Sequence, residues 1–96
     1  MNGTWEDGKF KYSSWDNGTW KNGYFLGSIW EDGIWKNGTF KEDCREGQWL
    51  NGTWENGTWK SGHWYDGTWK DGTWEYGEDK DLNEHGKGDS PDKWEK

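Results

Sequence analysis

The chain has 96 residues, a net charge of −7, and only 27% hydrophobic residues, so a conventional aliphatic core is not available to it. Twelve Trp, four Tyr and three Phe replace the missing aliphatics, and a chain so rich in large aromatics has enough apolar area to escape the disorder that 32% charge otherwise implies. The acidic balance disfavours direct binding to phosphate backbones and favours a basic or protein partner; a lone cysteine, Cys44, excludes an intrachain disulfide and a cysteine-based zinc site.

From the first residues onward the text is periodic. Aromatics fall at Trp5, Phe10, Trp15, Trp20, Phe25, Trp30, Trp35 and Phe40, then at Trp49, Trp54, Trp59, Trp64, Trp69 and Trp74. Glycine stands two residues before each, except where Ser13 and Ser28 substitute. The unit is Gly-Thr-Trp-x-Asn/Asp, as in Gly52-Thr53-Trp54-Glu55-Asn56. These 14 aromatics are the expected structural core of a repeat domain spanning residues 1–77. The N-terminal stretch lacks a basic segment followed by an apolar run, and no run of about 18 apolar residues occurs, so a cytoplasmic or virion location is expected.

Asn-Gly and Asp-Gly punctuate the pentads, for example at Asn17-Gly18, Asp32-Gly33 and Asp66-Gly67. Both residue types tolerate positive φ, so each junction predicts a turn and each Thr-Trp-x a short extended piece. Helix is excluded, because a glycine every five residues costs about 1 kcal/mol each and a period of five matches no helical face. The reading is all-β, either a β-solenoid in which the turns bend the chain partway or a tight antiparallel meander of Trp-Glu-Asn-Gly-Thr-Trp segments similar to tryptophan-zipper hairpins. The meander leaves strands too short for their turns and both faces uncovered.

A second period lies above the first. Phe10, Phe25 and Phe40 are 15 apart and are followed three residues later by Ser13, Ser28 and Asp43. Three pentads per turn are thereby suggested. Between Phe40 and Trp49 the spacing is nine, so in the pentad frame residues 41–48 form a register slip that drops one residue and one aromatic, with Cys44 or Arg45 in the missing slot. After Gly77 the composition changes to seven acids and four bases with one isolated Trp94, and residues 78–96 read as a flexible, solvated tail.

Residues 3–77 resemble the pentapeptide-repeat family of β-solenoids, in which a large apolar residue and a small residue two positions before it both point inward. Trp or Phe matches the large position and Gly or Ser the small one. The family usually places Leu or Phe at the centre, Asp or Asn before it and Ala as the small residue; glycine for alanine here makes room for the larger indole. The Gly-x-Trp-Lys-Asn-Gly fragment also resembles part of a MORN repeat. The resemblance implies a non-enzymatic module.

Chemistry-bearing residues are few. His63 sits in a Thr slot of the repeat, His85 lies in the tail, and neither has a second His or Cys at ligand spacing. Cys44 stands beside Arg45 but without an assigned base. Acid pairs at Glu6-Asp7, Glu31-Asp32, Glu42-Asp43 and Glu78-Asp79 read as a solvated face alternating with Lys. Five Asn-Gly-Thr triplets match the glycosylation acceptor but follow from turn chemistry. No catalytic residue, metal or cofactor is assigned. The expected function is a structural or interaction repeat module with a protein partner or self-association, of a kind that suits a bacteriophage particle or phage-encoded protein; the alternatives are an acidic DNA mimic that inhibits a DNA-binding enzyme, and a carbohydrate-binding adhesin using exposed Trp.

Overall fold

A computed structural model of the chain describes residues 3–43 and 46–94. Each Asn/Asp-Gly junction bends the chain instead of reversing it, for a local reason. At five of these junctions the side-chain oxygen of the Asn or Asp accepts the amide of the next glycine, as in Asn17 to Gly18 and Asp32 to Gly33, both at 2.8 Å. The glycine then takes a φ open to few other residues, +116° at Gly18. Two such bends, and a third corner of other sequence such as Gly27-Ser28 or Ser61-Gly62, close one coil, and the fold is a three-sided β-solenoid of about five turns.

The first side stacks β1 (Thr4–Trp5), β4 (Thr19–Trp20), β7 (Ile34–Trp35), β10 (Thr53–Trp54) and β13 (Thr68–Trp69). The second stacks β2 (Lys9–Lys11), β5 (Tyr24–Leu26), β8 (Thr39–Lys41), β11 (Thr58–Trp59) and β14 (Thr73–Trp74). The third stacks β3 (Ser14–Trp15), β6 (Ile29–Trp30), β9 (Gln48–Trp49), β12 (His63–Trp64) and β15 (Gly77–Glu78), with β16 (Glu84–His85) added at its end. Coil-to-coil pairing is parallel, with Thr4 opposite Thr19 and Trp5 opposite Trp20. The antiparallel meander is therefore ruled out; among the described residues the antiparallel pairs are β15 with β16 and the single bridge between Asp43 and Glu46. Two-residue strands cannot satisfy a hairpin at each end, whereas stacking lets the amide of Thr19 reach the Gly3 carbonyl and that of Lys21 the Trp5 carbonyl, each at 2.8 Å.

The 15-residue period is one coil. Across the interval 41–48 the partners are 19 apart, with Ile29 opposite Gln48 and Trp30 opposite Trp49. In the coil frame, then, no aromatic is missing: Trp49 follows Phe40 directly on the next side, and the corner between them carries four extra residues. Asp43 and Glu46 close them off by exchanging two amide-to-carbonyl hydrogen bonds of 2.8 Å. Cys44 and Arg45, expected to fill the slot of an aromatic, lie outside the described residues.

Inside the prism the aromatics form three columns of parallel rings. Trp20, Trp35 and Trp54 stack at centroid distances of 4.8 and 4.6 Å. Within a coil the rings meet edge to face, as Trp54 does with Trp59 at 5.7 Å and 68°. Phe10 and the twelve aromatics from Trp15 to Trp74 are buried, and Trp5 at the first coil is half-buried. No room is left beside them for a Cβ at the corners: one added at Gly52 would stand 2.4 Å from the Gly33 carbonyl oxygen and 3.1 Å from Trp30 Nε1.

Candidate functional site

The outward positions of the first two sides are mostly threonine, interrupted by Ile34, 40% exposed, on the first and by Lys9 and Tyr24 on the second. Thr4, Thr19, Thr53 and Thr68 line one, Thr39, Thr58 and Thr73 the other, and the residues after the aromatics pair Lys21 with Glu6 (3.5 Å) and Lys36 with Glu55 (3.7 Å). The third side departs from this pattern. Its outward strand positions are Ser14, Ile29, Gln48, His63 and Glu78, and the row beside them runs Asp16, Glu31, Leu50, Tyr65. Leu50 and Tyr65 are neighbours in that row, one coil apart, and remain 38% and 40% exposed. His63 lies beside them, with Nε2 2.7 Å from Glu78 Oε1, while its Nδ1 is buried without a hydrogen-bond partner among the described residues. A threonine-to-histidine exchange that looked incidental in the repeat thus joins the last coil to the one before it.

Beyond Glu78 the chain read from its charge as a solvated tail lies against the end of the prism. With Glu78 opposite His63, Asp79 takes the inward position that follows Trp64 in the third column. Asp79 cannot continue a stack of rings. Its Oδ1 instead accepts the amides of Asp81 (2.8 Å) and Asn83 (3.0 Å), turning the chain back so that β16 pairs with β15. His85 then sits between two carboxylates, Nε2 3.0 Å from Asp79 and Nδ1 2.7 Å from Asp89. Its ring stacks on Trp94 at 4.0 Å, and Trp94 meets Trp74 edge-on at 5.3 Å. The Trp74 Nε1–H donates to the His85 carbonyl (3.0 Å) and that of Trp94 to the Asp89 carbonyl (2.7 Å). The physical reason is that the last coil would otherwise present bare indoles to water, and one further Trp with a histidine plate covers part of them.

The electrostatics follow from this geometry. Burial opposes the charge on His85, but the hydrogen bonds to Asp79 and Asp89 more than offset it and raise its pKa above the ordinary 6.5. Burial likewise works against an ionised Asp79, yet the hydrogen bonds from His85 and from the Asn83 and Asp81 backbone hold it down at about 2. At neutral pH the carboxylate is ionised.

Between the last coil and this cap lies a cleft of about 460 Å³, bordered by Trp64, Tyr65 and Trp69 on one wall and by Pro91, Asp92 and Trp94 on the other, with Asp79 to Asp81 at its end. Sequence reasoning placed Trp64 and Trp69 in the core and missed that they also face this opening; the signal in the text was the solitary Trp94 in a charged segment. The remaining acid pairs are scattered: Glu6, Asp7, Glu31 and Asp32 are exposed on the sides, and no group of three or more His, Cys, Asp or Glu suited to a metal ion occurs among the described residues. Nor is any helix there long and apolar enough to cross a membrane. Searches with family profiles, against curated proteins and against solved structures return no significant match to this chain.

Proposed function

We propose that this protein is a non-enzymatic structural module that binds a protein partner or a second copy of itself through the third side of its prism. The observation that carries the reading is a pair on the third side: an outward position contributes little to the stacked core, so Thr and Lys suffice at most of them, and Leu50 next to Tyr65, both exposed, is a departure that folding does not require, whereas the exposed Ile34 of the first side stands alone between Thr19 and Thr53. The rigid column of rings behind it presents these side chains at a fixed spacing, which lowers the entropy lost on docking. Both imidazoles are engaged with carboxylates, which supports a structural use of them. The relation to pentapeptide-repeat proteins is part of the proposal and rests on the pentad with its inward aromatic; the coil here closes after three pentads. A role in a phage particle is compatible with such a module. The Glu–Lys pairs on the first side interrupt the negative charge that a DNA mimic needs to keep contiguous.

The experiment is sedimentation velocity over a wide concentration range, together with photocrosslinking from position 50 in the source cells. Concentration-dependent association, or one dominant crosslinked partner, should be lost in Leu50→Lys and Tyr65→Lys without a change in circular dichroism. A chain that stays monomeric and crosslinks to nothing, or associates equally well with both lysines in place, refutes the assignment.

A further inference from the structure

The regularity of the columns says where each indole N–H points. Nε1 of Trp20 lies 3.1 Å from the Cβ position of Gly38, that of Trp49 from Gly67 and that of Trp54 from Gly72, so each faces the glycine corner 18 residues on, in the following coil. For Trp64 and Trp69 the same step leads to residues 82 and 87, which have left the solenoid. Trp74 is supplied by the His85 carbonyl, whereas Trp64 and Trp69, 3% and 6% exposed, make no such bond among the described residues, and their Nε1 atoms, unlike those of the eight unpartnered indoles from Trp5 to Trp59, are not wholly enclosed. Both line the cleft. Two nearly buried donors are therefore directed at the space that a sixth coil would occupy.

The rest of the cleft narrows the choice of ligand. Tyr65 and Trp94 add aromatic surface, and Asp66, Asp81 and Asp92 add carboxylate acceptors, with Lys80 as a cation beside them. An anionic ligand would meet the acids. A simple organic cation would suit the acids and rings but leave both indole donors without an acceptor. A neutral polyol satisfies all three features, since its hydroxyls accept from indole N–H groups, donate to carboxylates, and leave an apolar C–H face to lie on an aromatic ring. A volume of about 460 Å³ admits one or two sugar rings.

We propose that the cleft between the last coil and the C-terminal cap is a binding site for an uncharged saccharide, held by the indole donors of Trp64 and Trp69, the carboxylates of Asp66 and Asp81, and the ring of Tyr65 or Trp94. The site adjoins the side-face contact surface at Tyr65 but does not include Leu50, and it does not depend on that surface.

Saturation-transfer NMR and calorimetry on the full chain, with cellotriose, maltotriose and N,N'-diacetylchitobiose as probes, test this. At least one of them should bind saturably at concentrations up to about 10 mM, with transfer strongest at ring C–H protons. Asp81→Ala, and separately Asp66→Asn, which keeps the oxygen that accepts the Gly67 amide, should each weaken binding about tenfold at unchanged melting temperature. Leu50→Lys should leave it as it is, so failure of the side-face reading is distinguishable from failure of this one. Glucuronate should not bind. The inference is overturned if none of the three saccharides binds, if binding is indifferent to both aspartate substitutions in folded protein, or if tetramethylammonium occupies the cleft and the saccharides do not.

Discussion

A buried tryptophan is an awkward core residue because its N–H needs an acceptor, and in eight of them, from Trp5 to Trp59, the Nε1 atom is fully enclosed with none among the described residues. Each such orphan costs about 1–3 kcal/mol. Burying roughly 150–250 Å² of indole returns about 4–6 kcal/mol, and ring stacking adds about 0.5–1.5 kcal/mol, so the aromatic surface wins at every position. Trp59 shows the arrangement at its tightest, 4.1 Å from Phe40 on one face and 5.0 Å from Trp74 on the other. Trp59→Ala should lower stability by about 3–5 kcal/mol, measurable by denaturant unfolding, and a loss below about 1 kcal/mol would contradict the enclosed ring. Glycine is equally constrained where it turns a corner. Gly52 has φ +116° and an occupied Cβ direction, while Gly86 has nothing within 4 Å of its Cβ position. Gly52→Ala should therefore cost more than about 1 kcal/mol, and Gly86→Ala should shift the same unfolding curve by no more than about 0.5 kcal/mol.

Among the elements, the C-terminal cap is the one whose stability depends on titration. His85 has its pKa raised by Asp79 and Asp89, so its contribution is complete below 6.5 and fades as pH rises through the folded value. Asp79 has its pKa lowered from 3.8 to about 2, so its contribution is complete above 3.8 and fades as pH falls toward about 2. The cap should be firmest between these limits, and amide exchange at Glu84 and His85 should quicken on the alkaline side before the rest of the solenoid responds. His85→Asn should remove that alkaline step. Protection factors at these amides, taken relative to the intrinsic base-catalysed rate, that stay flat from about pH 5 to about pH 9 would show that the His85 pairs do not hold the cap; this window brackets the ordinary histidine range of about 6.5. The pentad strands themselves were legible from their sequence, because Asn/Asp-Gly bends and inward aromatics are local chemistry. The cap was not, since Asp79, His85 and Trp94 follow no periodic spacing and meet only once β16 folds back on β15.

For the whole molecule, the unit that matters is the 15-residue coil, and the enlarged corner is an addition to it. Deleting residues 43–46 joins Glu42 to Gly47 and restores a five-residue step from Phe40 to Trp49. The hydrogen bond from the Tyr12 hydroxyl to Asp43 (2.6 Å) is lost with it, but no ring stack is touched. Such a deletion should leave the circular dichroism spectrum intact and the melting temperature within a few degrees, roughly the effect of 1 kcal/mol in a domain of this size. Collapse of the fold would mean that the corner, and not only the columns, sets the stacking register.

What the amino-acid sequence alone determined was the local part: the five-residue step, the bends and the identity of the inward rings, because each depends on residues within one pentad. The 15-residue spacing of Phe10, Phe25 and Phe40 even hinted at three sides. Only the tertiary structure decided that coils stack in parallel, that residues 41–48 enlarge a corner without dropping an aromatic, and that the charged end closes the prism over a cleft. Those outcomes depend on which coil lies against which, and a repeat of nearly identical pentads offers many equivalent registers until hydrogen bonds and ring contacts between distant residues select one.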